Sequence, residues 1–244
     1  MEEITDIGSL AEACQGDPYP LWAAQGFNHG ARAWSAQGAV AVASPQACAR
    51  DRIVLSGELE GASRLVAPAL EEMGMGFRPQ GDLALVRSLL EQLPWLRVIE
   101  EFGWMDTSSI PPAISAGAEW IAEAEWPEVA ELLIRANPDS YAQVGMDRVG
   151  RWAGYRAGAK LASVAADAWS SDEVGFISGV GTDPALRGQG LGAKVCSLVA
   201  EDLLRTRPRV ALLVDSDNHP AITLYSHLGF RFRPVASSRV GTSS

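Results

Sequence analysis

The sequence predicts an α+β fold over residues 118–244, preceded by a separate α/β region over residues 1–115. Three observations predict it. Strand and helix patterns alternate from Val174 onward around a glycine-rich turn. A tight turn, Ala157-Gly158-Ala159, joins two strand-like runs, and the helical stretches carry apolar stripes at helical spacing.

In the first half, Ala39 to Ala43 and Arg52 to Leu55 read as short strands, the second closing at Gly57. Ala62 to Met73 and Leu83 to Leu93 read as helices, the latter with Leu85, Leu89 and Leu93 at four-residue spacing. Trp22, Trp34, Trp95 and Trp104 are expected to fill cores or a domain interface. No site chemistry is legible in this half. The stretch from Thr107-Ser108-Ser109-Ile110-Pro111-Pro112 to Gly117 has the Pro, Ser and Gly content of a linker.

In the second half, Trp120 to Ala124 reads as a strand and Glu128 to Arg135 as a helix ending before Asn137-Pro138. Val149 to Arg156 and Lys160 to Ala168 are the two strands joined at Gly158, which supplies positive φ. Val174 to Thr182 is a strand with three glycines, at 175, 179 and 181. Glycine weakens a strand unless a bulge or a close approach requires it. A helix from about Gly190 to Arg205 lines up Leu191, Val195, Leu198, Val199 and Leu203. Val210 to Val214 is a buried-type strand. Pro220 to Leu228 is a short helix with Ala221, Leu224, Tyr225 and Leu228 on one face, and Phe230-Arg231-Phe232 opens a last strand.

Composition narrows the function. Apolar residues make up 47% and charged residues 20%, as in ordinary soluble globular proteins. No apolar run approaches the roughly 18 residues of a membrane span. The start, Met1-Glu2-Glu3-Ile4, lacks the basic-then-apolar order of a secretory signal. Cys14, Cys48 and Cys196 lie far apart with no CxxC, against disulfides and zinc and for a reducing compartment, so a cytoplasmic location is expected. A net charge of −10 disfavours nucleic acid and anionic membrane as partners and mildly favours a cationic acceptor such as an amine. The same charge also serves plain solubility.

The chemistry sits in Arg187-Gly188-Gln189-Gly190-Leu191-Gly192, between the glycine-rich strand and the long helix. The first turn of a helix has unpaired N–H groups and the positive dipole end, which together favour phosphate. Glycines let the backbone approach it, and Arg187 adds charge. A glycine turn before a helix also serves packing alone. A Walker loop fails, because Ala193-Lys194-Val195 stands where GK[ST] is required. The dinucleotide pattern does match, as Gly188-x-Gly190-x-x-Ala193, with Asp215 ending the next strand. Against it, Asp183 to Arg187 intervenes between strand and glycine, and only 30 residues follow Val214.

The segment Thr182-Asp183-Pro184-Ala185-Leu186-Arg187-Gly188-Gln189-Gly190-Leu191-Gly192 closely resembles the acyl-CoA pyrophosphate loop of the GNAT superfamily, (R/Q)xxGx(G/A). Downstream, Asn218-x-x-Ala221-x-x-Leu224-Tyr225-x-x-Leu228-Gly229-Phe230 resembles its second signature. The resemblance covers about Glu119 to Val235. It implies a mixed central sheet flanked by helices and acetyl-CoA as acyl donor. Backbone N–H groups of Gly188, Gln189, Gly190, Leu191 and Gly192 would hold the pyrophosphate, with Arg187 beside them. Val180, Gly181 and Thr182 would pair with pantetheine on a strand splayed from Val210 to Val214. Asn218 would contact the pantetheine arm or cap its helix. Tyr225 matches the position that often serves as general acid, and it also fits an apolar helix face.

No general base is identified; Asp172, Glu173, Asp215 and Asp217 lie near the expected cleft but are ordinary loop acids. His219 and His227 read as surface groups and Cys196 as a small buried apolar residue. The first half offers a strand then a helix (Arg52 to Leu55, Ala62 to Met73) without RxxGxG, as a degenerate copy would. The expected function is acetyl transfer from acetyl-CoA to a primary amine of a small molecule or peptide, by direct attack in a ternary complex. The alternative is a non-catalytic acyl-CoA-binding or regulatory module. No metal site is expected, and no motif encodes the acceptor or the oligomeric state.

Overall fold

A computed structural model of the chain describes residues 1–111 and 114–241, so Pro112 of the expected linker lies outside the described residues. The chain divides into two compact units, and it crosses between them more than once. Met1–Trp104, Val214–Asp217 and Arg233–Ser244 form the first unit, and Met105–Leu213 with Asn218–Phe232 form the second. A single cut at the linker would have assigned residues 214–217 and 233–244 to the second.

The first unit contains β1 (Glu2–Ile4), α1 (Ile7–Ala13), α2 (Pro18–Ala24), β2 (Arg32–Ala36), β3 (Ala39–Ala47), β4 (Arg50–Gly57), α3 (Leu59–Met73), β5 (Arg78–Asp82), α4 (Leu83–Gln92) and most of β6 (Leu96–Thr107). Its sheet runs β1-β2-β3-β4-β5-β12-β6, where β12 is Arg231–Val240. β4 and β5 are parallel, from Arg52↔Arg78 to Leu55↔Gly81, and α3 is the crossover between them. β12 is antiparallel to β5, with Val235↔Asp82 and Ser237↔Gln80. The core forms because α3 repeats apolar residues at helical spacing. Ala62, Leu65, Val66, Ala69 and Leu70 pack on Ala41, Ala43, Ile53 and Leu55. Each large side chain buried there contributes about 1.5–3 kcal/mol. Trp22, Trp34 and Trp104 are fully buried in this unit, and Trp95 packs on the α3 cluster.

The second unit contains β7 (Ala118–Trp120), α5 (Trp126–Ala136), β8 (Val149–Ala157), β9 (Lys160–Ala168), β10 (Val174–Thr182), α6 (Leu191–Leu203), β11 (Arg209–Asp215) up to Leu213, and α7 (His219–His227). The strand expected over Trp120 to Ala124 is shorter and earlier. It ends at Trp120, and Glu123–Glu125 form a single 3₁₀ turn leading into α5, which starts with Pro127 in its first turn. The sheet order is β11-β10-β9-β8-β7, with antiparallel pairs from β7 to β10 and a parallel β10–β11 pair. This is the mixed sheet flanked by helices expected from the sequence. Gly158 adopts φ 63° in the β8–β9 turn, as its position required.

Both stretches of chain follow one order: strand, helix, three antiparallel strands, crossover helix, parallel strand, helix, strand. The first stretch has two helices after its opening strand where the second has one. In the first unit the crossover begins directly, at Gly57-Glu58-Leu59, with no glycine-rich loop.

Candidate active site

β10 carries the geometry of the site. Its register with β9 shifts between Ser178↔Ala166 and Gly181↔Val164, so Gly179 and Val180 together oppose one residue. This is a β-bulge, and Gly179 supports it at φ 62°. A Cβ there would stand 2.5 Å from Trp152 Cη2 and 3.2 Å from the Ala142 Cβ. The bulge reverses the faces. Gly175 faces Leu203 of α6, whereas Gly181, an even number of residues later, faces Leu133 and Ala136 of α5. Thr182 is thereby turned toward α6, with its Oγ1 beside Gly192.

Pairing between β10 and β11 runs only from Val174↔Arg209 to Phe176↔Ala211. From Ile177 onward β10 leaves its parallel neighbour. Side chains hold its far end. Asn137 Nδ2 donates to the Val180 carbonyl (3.1 Å), and Ser163 Oγ donates to the Gly181 carbonyl (3.1 Å). The Thr182 hydroxyl lies 2.9 Å from Ser163 Oγ and is the donor there, since the serine proton is already used. The Asp183 N–H donates to Ala162 O at 2.8 Å.

After β10, Pro184–Leu186 make one 3₁₀ turn, started by the Asp183 carboxylate accepting from the Ala185 N–H. Gly188 and Gly190 follow at φ 79° and 75°, and Gly190 is the N-cap of α6 without any side-chain cap bond. A Cβ on either glycine would meet nothing within 4 Å, so the loop needs glycine for conformation while the space above it stays open. The first intrahelical acceptor contact is Lys194 N–H to Gly190 O (3.3 Å), which leaves the first-turn N–H groups directed out of the helix. Arg187 differs from a simple phosphate cation. Its Nη2 donates to Ala136 O (3.0 Å) and its Nε to Thr182 O (3.4 Å), so it clamps the loop to the end of α5 and β10.

Asn218 is the N-cap of α7, its Oδ1 accepting from the Ala221 N–H at 3.2 Å. Tyr225 is 6% exposed, with its ring 6.1 Å from that of Phe230. Burial pushes its phenol well above the usual value, with the nearby Cys196 adding to the effect, so the group stays a proton donor through the neutral range. Cys196 is fully buried within α6, and burial pushes its thiol up to about 12. That is the inert small residue expected of it.

Two of the loop acids are displaced from where the sequence placed them. Asp172 and Glu173 precede β10, at the end opposite Arg187, and nine strand residues separate the two ends by about 25 Å. Sequence reasoning also passed over Asn137, Ser163 and Trp152. Asn137-Pro138 marked only a helix end, and nothing local distinguishes a buried serine that fixes two groups of the neighbouring strand. Among the described residues, no group of three or more His, Cys, Asp or Glu is placed to hold a metal ion. No helix there is long and apolar enough to cross a membrane.

Comparison with known proteins agrees with this geometry. The model of the FR47-like protein family matches residues 153–240, which include the bulged strand, the glycine loop, α6 and α7. A mycothiol acetyltransferase of Nocardioides sp. is 52% identical over 60 residues, 24% of this chain and 20% of that protein. One from Catenulispora acidiphila is 34% identical over 119 residues, 46% of this chain and 38% of that protein. The chain thus matches well under half the length of these relatives. A GCN5-related N-acetyltransferase from Kribbella flavida is similar in fold across 99% of this chain and 98% of its own, at a TM-score of 0.60 and 16% identity. A GNAT-family protein from Novosphingobium aromaticivorans aligns over 80% of this chain and 88% of its own, at 0.51 and 22%. The bulged strand, the glycine loop and both signature segments thus lie inside the stretch matched by the FR47-like family model, and the solved acetyltransferase structures share the fold over most of the chain.

Proposed function

We propose that this protein is an N-acetyltransferase that moves the acetyl group of acetyl-CoA to a primary amine within a ternary complex. The observation that carries the reading is the glycine loop with open space over Gly188 and Gly190, next to a strand that is bulged against β9 and has left its parallel neighbour β11. The first-turn N–H groups of α6, Gly188 to Gly192, would receive the donor's diphosphate. Arg187 would act mainly by fixing the loop, its guanidinium being engaged with two carbonyls. Val180, Gly181 and Thr182 would present free strand edge to the pantetheine amides, and the Asn218 Nδ2, unused by the cap, would reach the same arm.

In the reaction, the amine nitrogen forms a bond to the thioester carbonyl carbon and the carbon–sulfur bond breaks. Backbone N–H groups of the bulged strand would polarise the carbonyl. The departing thiolate takes the Tyr225 phenolic proton, and the acceptor nitrogen loses its extra proton to solvent. The phenol is then restored from water. Holding both substrates in line supplies much of the acceleration. A cytoplasmic location and a small-molecule acceptor fit this reading, and the relatives' activity makes the acceptor of a mycothiol acetyltransferase the first to try.

The test is thiol release from acetyl-CoA across amines, amino acids, aminoglycosides and peptides, alongside thermal melts. Donor at about 100 times its dissociation constant adds roughly 2.7 kcal/mol, a shift of several degrees at roughly 2–4 °C per kcal/mol. A shift with NAD and none with acetyl-CoA would overturn the reading. Binding without thiol release on any acceptor would leave a non-catalytic acyl-CoA module.

A further inference from the structure

The first unit holds a buried polar constellation that acetyl transfer does not use. One face of its sheet, Ala41, Ala43, Ile53 and Leu55, is covered by α3. The other face is covered by α2, which packs on β3 and β4. On that second face the register sets Ser44 opposite Arg52, and Gln80 opposite both Val54 and Ser237. Arg52 is 5% exposed, Ser44 and Gln80 are 0% exposed, and Tyr19 of α2 is 1% exposed.

Arg52 donates to Ala47 O (2.7 Å), Cys48 O (3.4 Å) and Gln80 Oε1 (3.2 Å), all neutral acceptors. Among the described residues no carboxylate lies within ion-pairing distance of it. A buried guanidinium without a counter-charge is costly. Ser44 pairs with Arg52 across the two strands, Gln80 accepts from it, and the Tyr19 phenol feels its charge; Ser44 Oγ, Gln80 Nε2 and Tyr19 Oη are all buried without a hydrogen-bond partner. Gln80 Oε1 already accepts from Arg52, so the unpartnered function of this amide is its Nε2 donor. Burial drives the Tyr19 phenol far up, so it keeps its proton and can donate. The β3–β4 connection that delivers the two carbonyls is itself held in an unusual conformation. Gln46, Cys48 and Ala49 sit at φ 53°, 49° and 54°, none of them glycine, beside a bulge between Ser44 and Ala47. Such backbone persists where the surroundings over-determine it, often at ligand sites.

We propose that Arg52, Ser44, Gln80 and Tyr19 form a second ligand site, in the first unit, for a small anionic oxygen group of carboxylate or phosphate size. Each unused function can donate and the charge is positive, so an acceptor-only anion satisfies them at once. Water fits less well, since it leaves the buried guanidinium without a counter-charge. The near-complete burial limits the ligand to a compact one. This site does not depend on the acetyl-transfer reading.

The test uses the full chain without acetyl-CoA, melted in graded acetate, phosphate and sulfate against chloride at matched ionic strength. The expected result is a saturable rise in Tm of a few degrees with at least one oxyanion. Ser44→Ala and Tyr19→Phe should each weaken its half-saturation about tenfold, and Arg52→Met should abolish it. Gly190→Asp, in the α6 loop of the second unit, should leave it intact. General salting-in or salting-out effects rise without saturating and ignore these substitutions. No saturable shift, or one unchanged in Ser44→Ala and Tyr19→Phe, overturns the proposal. Which anion acts best separates a carboxylate from a phosphate ligand, and the two alanine-type variants keep the test decisive if Arg52→Met fails to fold.

Discussion

At Tyr225 the ring and the hydroxyl have separable roles. The ring packs beside Phe230 on the buried side of α7, and a Phe keeps that contact. Tyr225→Phe should therefore fold and bind acetyl-CoA as the parent does, while turnover drops about a hundredfold, the low end for general acid help. Thiol-release kinetics under chemistry-limited conditions check this, and unchanged turnover removes Tyr225 from the mechanism. Buried Cys196 gives a pH prediction of definite sign. Its folded value, about 12, lies above the ordinary thiol value of 9.0, so the stability it contributes is complete below about pH 9 and is lost as pH rises toward 12. Cys196→Ala should flatten the early part of the alkaline fall in Tm, and an identical fall in both proteins would contradict it. Tyr225 and Asn218 were legible as positions in a motif. Asn218 was legible also as the cap of its helix, which it is; that Tyr225 lies against Phe230 and near Cys196 was not, because those residues meet it only in the folded chain.

Among elements, β10 shows most clearly how sequence became geometry. Three glycines in one strand announced a bulge or close approach, and the bulge falls at Gly179, the one of them with positive φ. Gly179→Ala should cost about 1–3 kcal/mol for the left-handed backbone, with further strain against Trp152. Acetyl-CoA affinity should fall with it, because the released strand end is set by that residue; calorimetry and melts read both. Gly190→Asp should behave differently, keeping the fold because its Cβ meets open space, but losing the donor to a misplaced negative charge. Equal affinity by calorimetry would make the loop purely structural. The hairpin at Gly158, α6 and α3 were readable from local signals. β5 and β6 were not. Arg78-Pro79-Gln80-Gly81-Asp82 looks like a turn, yet it is a strand because β4 and β12 flank it. In β6, Glu100-Glu101 breaks the alternation that marks a strand.

For the whole molecule, the path of the chain matters more than the boundary the linker suggested. The backbone passes from one unit to the other after residues 104, 213, 217 and 232. Removing residues 1–115 therefore takes away β5, the strand on which Val235 to Ser237 pair. The isolated fragment 118–244 should be aggregation-prone or lack a sharp melting transition, and the full chain should unfold in one step by calorimetry. Two well-separated transitions, or a stable, acetyl-CoA-binding fragment, would refute this. The same path orders events on the ribosome. β5 is complete at Asp82, but its antiparallel neighbour ends at Val240, almost 160 residues later. At about 5–20 residues per second, the nascent first unit waits roughly 10–30 s with an interior strand missing and the flank of β5 bare. A bare flank is an invitation to wrong partners. Synthesis rate and chaperone supply, rather than the equilibrium stability of either unit, should then govern how much native protein a cell recovers.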